Sequence, residues 1–158
     1  MNSMDFLISG LPFEQFQHLF ELGDAELESL GVRRCIADAK PSFPCRVSLE
    51  DAEIGEPVLL LTYEHHAVDS PYRGAGPIYV RQHAKKARLK VNELPDVVKH
   101  RLISVRAYDG QSLMVASEVV EGKNLDQQIR TFFADERVAY LHLHNAKPGC
   151  FSCRVDRA

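Results

Sequence analysis

A β-hairpin within residues 102–120 is the feature that most constrains the fold of this chain. Side chains alternate between apolar and polar over residues 102–108, and a second strand-like segment follows at 113–120. The Asp109-Gly110 dipeptide between them strongly favours a tight turn joining antiparallel strands. Because neighbouring parallel strands need a long crossover connection, this hairpin favours an antiparallel sheet.

Other strand-like segments are short and separated by turns. Residues 58–65 hold a near-continuous apolar run, which is typical of a central strand. Along residues 138–144, two leucines share one face, whereas His142 and His144 share the opposite face. We predict seven or eight strands in total, and the remaining ones lie at residues 6–8, 32–37, 45–49, 78–81 and 151–155.

Helical segments are fewer than strands. The clearest begins at Asn124, because Asn124 and Gln127 have the spacing of a capping box and apolar residues then recur at helical intervals. Further helices are predicted at residues 12–21, 24–30 and 95–101. With 158 residues, the chain has the length of one domain. We therefore predict a single α+β domain over residues 1–158, with a mainly antiparallel sheet and three or four helices.

Charge is unevenly distributed along the sequence. The formal net charge is −3, which disfavours bulk electrostatic capture of nucleic acid. Residues 1–30 carry six acidic side chains and no Lys or Arg, whereas residues 81–106 carry eight basic and two acidic side chains. The basic segment is either a surface that binds an anion or a partner, or simply a solvated face.

The sequence lacks the features of a membrane or secreted protein. No apolar run approaches the roughly 18 residues of a membrane helix. Residues 1–10 have neither a basic region nor an apolar stretch of signal-peptide length. We therefore expect a cytoplasmic protein that makes no membrane contact. Its four cysteines are then reduced, and they act as core residues, metal ligands or reactive thiols.

Two segments begin with the same Ala-Lys-Pro tripeptide and end in Cys-Arg-Val. They occupy residues 39–47 and 146–155. The similarity is too short, and too far from a fixed period, to indicate a structural repeat. We interpret the two segments as similar local solutions for entering a strand after a proline turn.

Several motifs, taken in order, resemble one known family. They are the Asp38-Ala-Lys-Pro-x-Phe-Pro-Cys-Arg-Val segment, Leu-Leu-Leu-x-Tyr-Glu-His at 59–65, Ser-Pro-Tyr-Arg at 70–73, Ser-Val-Arg-Ala-Tyr-Asp at 104–109 and His-Asn-Ala-Lys-Pro-Gly-Cys at 144–150. Together they resemble the bacterial family catalogued as domain of unknown function 1203, over nearly the whole chain. The resemblance implies a small stand-alone bacterial protein, and it implies no particular activity.

A Cys-x-x-Cys motif near the C-terminus is one candidate site. Cys150 and Cys153 have the spacing of two zinc ligands, and Cys45 and His144 would complete a tetrahedral set. The motif lacks a second cysteine pair, and a free cysteine in a strand often packs as a small apolar side chain. We expect no metal, and zinc at these four residues is the alternative.

The same region is a candidate for thiol chemistry without a metal. Cys150 follows a Pro-Gly turn, and His144 and Asn145 precede it, so the residue types of a Cys/His/Asn nucleophile are present. A reactive thiolate needs a cation beside it. The candidates for that cation are Arg46, Arg73 and Arg154.

The loop at residues 66–76 carries the site that we favour. It contains Tyr72, Arg73 and two glycines. An arginine can bind a carboxylate or phosphate through two parallel hydrogen bonds, and glycines allow the backbone to approach a ligand. His65 lies at the entry to this loop, and Arg81 lies on the strand that leaves it.

We predict a pocket lined by arginine and histidine that binds a small anionic molecule, and we leave open whether the protein is an enzyme. The residues predicted to act in catalysis are His65, His144 and Cys150. The residues predicted to bind the ligand are Tyr72, Arg73, Arg81 and Asn145. The alternative is a non-catalytic protein-interaction module. A homodimer formed partly through the apolar stripe of Phe16, Leu19 and Phe20 is also left open.

Overall fold

The computed structural model describes residues 4–158, and within this range eight β-strands form two antiparallel sheets. The strands are β1 (Phe6–Ser9), β2 (Arg33–Ile36), β3 (Pro57–His66), β4 (Gly74–Arg81), β5 (Leu102–Tyr108), β6 (Met114–Glu121), β7 (Tyr140–Asn145) and β8 (Phe151–Arg157). The larger sheet has the order β1-β8-β7-β5-β6, and the smaller sheet has the order β2-β3-β4.

Short helices connect these strands. The α-helices in the described range are α1 (Asp24–Ser29), α2 (Asp96–Lys99) and α3 (Leu125–Phe133). The 3-10 helices are Phe13–Gln15, Gln17–Glu21 and Gly122–Asn124. The predicted α+β class and antiparallel pairing are confirmed. None of the helices formed by residues 4–158 is long and apolar enough to cross a membrane.

The predicted hairpin forms one edge of the larger sheet. β5 pairs with β6 along its length, and the turn between them begins at Asp109. The Asp109 carboxylate oxygen Oδ1 accepts hydrogen bonds from the Gln111 and Leu113 amides, at 2.8 and 3.0 Å. An aspartate that binds its own downstream backbone stabilises a turn, which explains why this short signal predicts the hairpin correctly.

The main hydrophobic core lies between α3 and one face of the larger sheet. Ile129 and Phe133 of α3 pack in one cluster with Leu141 and Leu143 of β7, and all four are fully buried. The alternation predicted for β7 is confirmed, because its leucines belong to this core and its histidine rings contact residues of the smaller sheet.

A second core lies against the smaller sheet and is covered by the N-terminal segment. Phe16 and Leu19 pack there with Leu59 and Ile78. The helix predicted at residues 12–21 is wrong in type, since the segment forms two 3-10 helices. A 3-10 helix has three residues per turn, so Phe16 and Leu19 face the same side and are buried together.

The strand predicted at residues 45–49 is wrong. The segment is a buried turn in which the Leu49 amide donates a hydrogen bond to the Cys45 carbonyl at 3.0 Å, and Leu49 has a φ of 55°. Its apolar–polar alternation matched a strand with one solvated face. Both sides are buried instead, and the Arg46 side chain is bound by main-chain carbonyls rather than by water.

The smaller sheet meets the histidine-bearing face of the larger one. β3 ends at His65 and His66, and their rings contact those of His144 and His142, respectively. The loop that follows is shorter than the predicted 66–76, because β4 already begins at Gly74. Each histidine pair is therefore formed by one residue from each sheet.

Candidate functional site

A cleft with a volume of about 620 Å³ opens beside the turn between β7 and β8. Its walls include four prolines, Leu60, Leu102 and the ring of Tyr79. Its polar and charged lining consists of Ser42, Arg46, His100, Arg101, Asn145, Lys147 and Cys150. None of the lining residues, which all lie in the described part of the chain, is acidic. The volume falls within the roughly 300–1,000 Å³ of small-molecule sites.

The two Ala-Lys-Pro segments form opposite parts of this cleft. Pro41, Pro44 and Arg46 come from the first segment, and Pro148 and Cys150 come from the second. Their similarity therefore reflects two proline turns that line the same cleft. Neither segment is a unit of a repeated fold, which agrees with the interpretation made from the sequence.

Arg46 is the central charged residue of the cleft. Only 2% of its surface is exposed. Its Nε donates to the Phe151 carbonyl at 2.7 Å, and its Nη1 donates to the Pro44 carbonyl. Its Nη2 donates to the Cys150 sulfur at 3.0 Å. Burial lowers the pKa of the Arg46 guanidinium, and the neighbouring Cys150 opposes that shift.

Asn145 completes the surroundings of the Cys150 sulfur. The Asn145 side-chain Nδ2 lies 3.5 Å from Sγ, and its backbone amide donates to the Cys150 carbonyl at 2.9 Å. Gly149 allows this tight turn because its φ is 83°, a conformation that favours glycine. The Asn145 Oδ1 atom is buried and has no hydrogen-bond partner within the described chain.

Two further cations line the cleft and differ in their pairing. Arg101 is neutralised, since its Nη2 lies 2.6 Å from a carboxylate oxygen of the buried Asp51. Lys147 is exposed at the turn, and it forms no ion pair with any residue that the structure describes. The cleft therefore contains two positive charges without a carboxylate partner, on Arg46 and Lys147.

A histidine cluster lies between the two sheets. The rings of His65 and His144 are 5.1 Å apart, those of His66 and His142 are 4.7 Å apart, and Phe151 packs against His65 at 5.2 Å. The structure therefore brings together His65 and His144, two of the residues predicted to act in catalysis. Neither histidine lines the cleft.

Burial lowers the pKa of three histidines of this cluster. It lowers the pKa of His142 to about 2, and electrostatic repulsion from the neighbouring histidines and Arg154 adds to that shift. It lowers the pKa of His144 to about 4, although the hydrogen bond to the Gly149 carbonyl opposes that shift. Burial also lowers the pKa of His65, with smaller contributions from His66 and Arg106. The His144 Nδ1 donates to the Gly149 carbonyl at 3.0 Å, which ties this cluster to the turn that carries Cys150.

The four residues considered for zinc are not gathered into one site. Cys153 belongs to the main core, where burial raises the pKa of its thiol to about 12. Cys45 belongs to the second core, whereas Cys150 lines the cleft. Among residues 4–158, no group of three or more His, Cys, Asp or Glu side chains is arranged to hold a metal ion.

The loop residues predicted to bind the ligand lie outside the cleft. Arg73 has a side chain that is 65% exposed and pairs with Glu64 across the β3–β4 hairpin at 3.3 Å. Arg81 lies at the far end of β4 and pairs with Glu56 at 2.6 Å. Tyr72 is exposed, and its backbone carbonyl accepts a hydrogen bond from the His66 Nδ1 at 2.8 Å.

Arg46 was not among the predicted ligand-binding residues, although it was one of three cations considered for Cys150. The signal that could have identified it is an arginine between Cys45 and Val47 in a segment flanked by prolines. The partners that make it central, Cys150 and Phe151, are more than 100 residues away along the chain.

Comparison with known proteins shows one family. The model of the family described as "Protein of unknown function (DUF1203)" matches residues 42–157. The chain belongs to this family. The resemblance predicted from the sequence motifs is therefore confirmed. No curated protein and no solved structure matches the chain.

The part of the chain shared with the DUF1203 family contains nearly all of the cleft. The matched region begins at Ser42 and includes Arg46, Asn145, Lys147 and Cys150. Strand β1 and the helices that cover the second core precede it.

Proposed function

We propose that this protein binds a small anionic molecule in the cleft between the two Ala-Lys-Pro segments. The observation that carries the proposal is the charge of the lining, where Arg46 and Lys147 have no carboxylate partner and no lining residue is acidic. The chain as a whole has more acidic than basic residues and a net charge of −3. A cleft without acidic groups in such a protein has a local potential that attracts anions.

The positions of the two unpaired cations support a specific mode of binding. Arg46 uses three of its five N–H groups on Phe151, Pro44 and Cys150, so its plane is fixed before a ligand arrives. A fixed guanidinium binds a carboxylate or phosphate with little loss of conformational entropy. Lys147 lies at the exposed turn, where it can attract the anion towards the buried arginine.

The apolar walls indicate the rest of the ligand. The cleft has flat, apolar contact surfaces around its charged residues, supplied by the prolines, Leu60, Leu102 and the Tyr79 ring. Such walls stabilise a ligand with an apolar or aromatic body, because burying its carbon atoms removes apolar surface from water. The proposed ligand class is therefore a carboxylate or phosphate monoester with an apolar body.

A thermal-shift assay on the full chain tests this proposal. Phenyl phosphate and benzoate are the anionic probes, and benzyl alcohol is the neutral probe of similar shape. We expect the anions to raise Tm in a saturable manner, since a ligand that binds only the folded state stabilises it. Benzyl alcohol should leave Tm unchanged.

A pair of charge-reversal variants locates the effect. Lys147→Glu should abolish the anion-dependent rise in Tm, whereas Lys90→Glu makes the same charge change at an exposed residue outside the cleft and should keep it. If both variants lose the anion-dependent rise in Tm equally, the rise reflects general electrostatic attraction rather than binding in the cleft. No rise with any anion would contradict the proposal and favour the alternative of a protein-interaction module.

A further inference from the structure

The buried guanidinium of Arg46 lacks the partner that a buried charge normally has. Ion pairs or metals compensate nearly all buried charges, because an uncompensated charge costs several kcal/mol. The other arginine of the cleft follows this rule, since Arg101 pairs with Asp51. No carboxylate in residues 4–158 pairs with Arg46, whose bonded groups are two carbonyls and the Cys150 sulfur. Of these three groups, only the sulfur can carry a negative charge.

Asn145 provides a second and independent observation at the same sulfur. Its side chain lines the cleft and is 5% exposed, and its Oδ1 atom has no hydrogen-bond partner in the described chain. A buried acceptor without a donor costs free energy, and such groups are rare in folded proteins. Oδ1 is closed to solvent in this structure, so an incoming molecule with an O–H group reaches it only when the Asn145 side chain turns towards the cleft.

Cys150 also differs from the other cysteines in access and surroundings. Cys45 and Cys153 are buried in the two cores. Cys35 is half-buried, as Cys150 is, but no guanidinium donates to its sulfur within the described chain. Cys150 thus combines an opening to a cleft with a fixed cation, which are the conditions for a reactive thiolate.

We infer that Cys150 is a redox-active thiol that a small hydroperoxide oxidises in the cleft. The thiolate sulfur attacks the terminal oxygen of the hydroperoxide, an S–O bond forms and the O–O bond breaks. The sulfur is oxidised to a sulfenic acid, which keeps the hydroxyl group. The peroxide is reduced and leaves as an alkoxide, or as hydroxide when hydrogen peroxide reacts, and that anion takes a proton from water.

Each group around the sulfur has a defined task in this step. Arg46 lies against the sulfur and has two N–H groups left to stabilise the negative charge that develops on the leaving oxygen. Asn145 lies beside the sulfur, and once its side chain turns towards the cleft, its Oδ1 accepts the hydrogen bond from the peroxide O–H and orients the terminal oxygen. The inference rests on the proposed cleft being open to a small molecule, but it does not require the anionic ligand.

Oxidation of the reduced full chain by hydrogen peroxide, with dimedone present to trap sulfenic acid, tests the inference. Peptide mass spectrometry then compares Cys150 with Cys35 in the same molecules, so no variant needs to fold. We expect Cys150 to be labelled at least about tenfold faster than Cys35. Equal rates, or faster labelling of Cys35, would overturn the inference.

Two variants at Arg46 test whether the reactivity of Cys150 depends on the cation. Arg46→Lys keeps a positive charge but loses the planar guanidinium with its fixed N–H groups. Arg46→Met removes the charge. We expect the labelling rate of Cys150 to fall in both, and to fall further in the methionine variant, provided that circular dichroism shows a folded chain. A folded methionine variant with an unchanged rate would contradict the role of Arg46.

The two assays on the unaltered chain separate this inference from the proposed function. Cys150→Ser should lose dimedone labelling at this position, which assigns the label to Cys150. If Cys150 is labelled selectively but no anion raises Tm, only the proposed function is contradicted. If anions raise Tm but Cys150 is not labelled selectively, only the redox inference is contradicted.

Discussion

The Arg46 Nη2 lies 3.0 Å from the Cys150 Sγ, although 104 residues separate the two in sequence. This contact joins the buried turn before β3 to the turn between β7 and β8. Arg46 also binds the carbonyl of Phe151, the first residue of β8, so the same side chain connects both proline turns of the cleft. The geometry of the cleft and the stability of the fold therefore depend on one residue.

Replacing Arg46 should strongly destabilise the protein. Arg46→Met removes three hydrogen bonds, two of them buried, and leaves the Phe151 and Pro44 carbonyls without their donor. Each unsatisfied buried group costs about 1–3 kcal/mol, so we expect a loss of about 3–5 kcal/mol in the free energy of unfolding. Urea denaturation followed by circular dichroism measures it.

Arg154→Met is the matched control for that experiment. Arg154 occupies the equivalent place in the second Cys-Arg-Val sequence, but its side chain is partly exposed and pairs with Asp156 at 3.0 Å. An exposed ion pair contributes about 0–1 kcal/mol, so this change should have little effect. Similar losses in both variants would show that Arg46 has no special structural role.

The histidine cluster should make the fold sensitive to acid. The pKa values of folded His142 and His144 are about 2 and about 4, below the unfolded value of 6.5. As pH falls below 6.5, the unfolded chain takes up protons that the folded chain does not, so stability falls. Each histidine contributes a slope of about 1.4 kcal/mol per pH unit. His144 stops contributing near pH 4, whereas His142 continues to contribute below it.

Urea denaturation at several pH values between 7 and 4 checks this dependence. His142→Phe removes one titrating group from the cluster while keeping an aromatic ring, and it should reduce the loss of stability on acidification. The control is His18→Gln, at an exposed position, and it should lose as much stability on acidification as the wild type does. An identical pH dependence for His142→Phe and the wild type would contradict the neutral, buried state of His142.

A close backbone contact beneath the Arg46 turn gives a third prediction. A Cβ atom on Gly10 would lie 2.1 Å from the Val47 carbonyl oxygen, a position that only a shift of the backbone could relieve. Gly10→Ala should therefore cost about 1–3 kcal/mol, as overpacked substitutions do. Gly76→Ala is the control, because a Cβ there meets nothing within 4 Å.

Thermal denaturation of the two glycine variants measures the difference. We expect a clear drop in Tm for Gly10→Ala and a change of at most about 2–4 °C for Gly76→Ala, equivalent to roughly 1 kcal/mol or less. Equal Tm values would show that the contact between residues 10 and 47 is looser than its geometry indicates.

Local patterns predicted most of the strands but not the segment that forms the site. The β5–β6 hairpin follows from the Asp109-Gly110 turn, and the two faces of β7 follow from strict alternation, because both features are properties of neighbouring residues. The segment at 45–49 has the same alternation and is not a strand. Its conformation is set by hydrogen bonds from Arg46 to distant carbonyls, which periodicity cannot reveal.

The sequence predicted only part of the candidate site, because several of its residues meet through tertiary contacts. Cys150 and Asn145 were recognised because their residue types are those of a Cys/His/Asn nucleophile, and the structure places both on the cleft. Arg73 was favoured because its loop has the composition of an anion site. Its charge is instead paired with Glu64, which the β3–β4 pairing places nearby. Which arginines of this chain have carboxylate partners depends on tertiary contacts that composition does not encode.

The measurement that most directly tests the central claim is an NMR titration of the ¹⁵N-labelled full chain with phenyl phosphate. If the cleft binds anions, the largest saturable amide shifts will fall in residues 42–46 and 145–150, on both sides of the Arg46–Cys150 contact. Lys147→Glu should abolish these shifts. Shifts confined to the loop around Arg73, or no saturable shift anywhere, would contradict the claim.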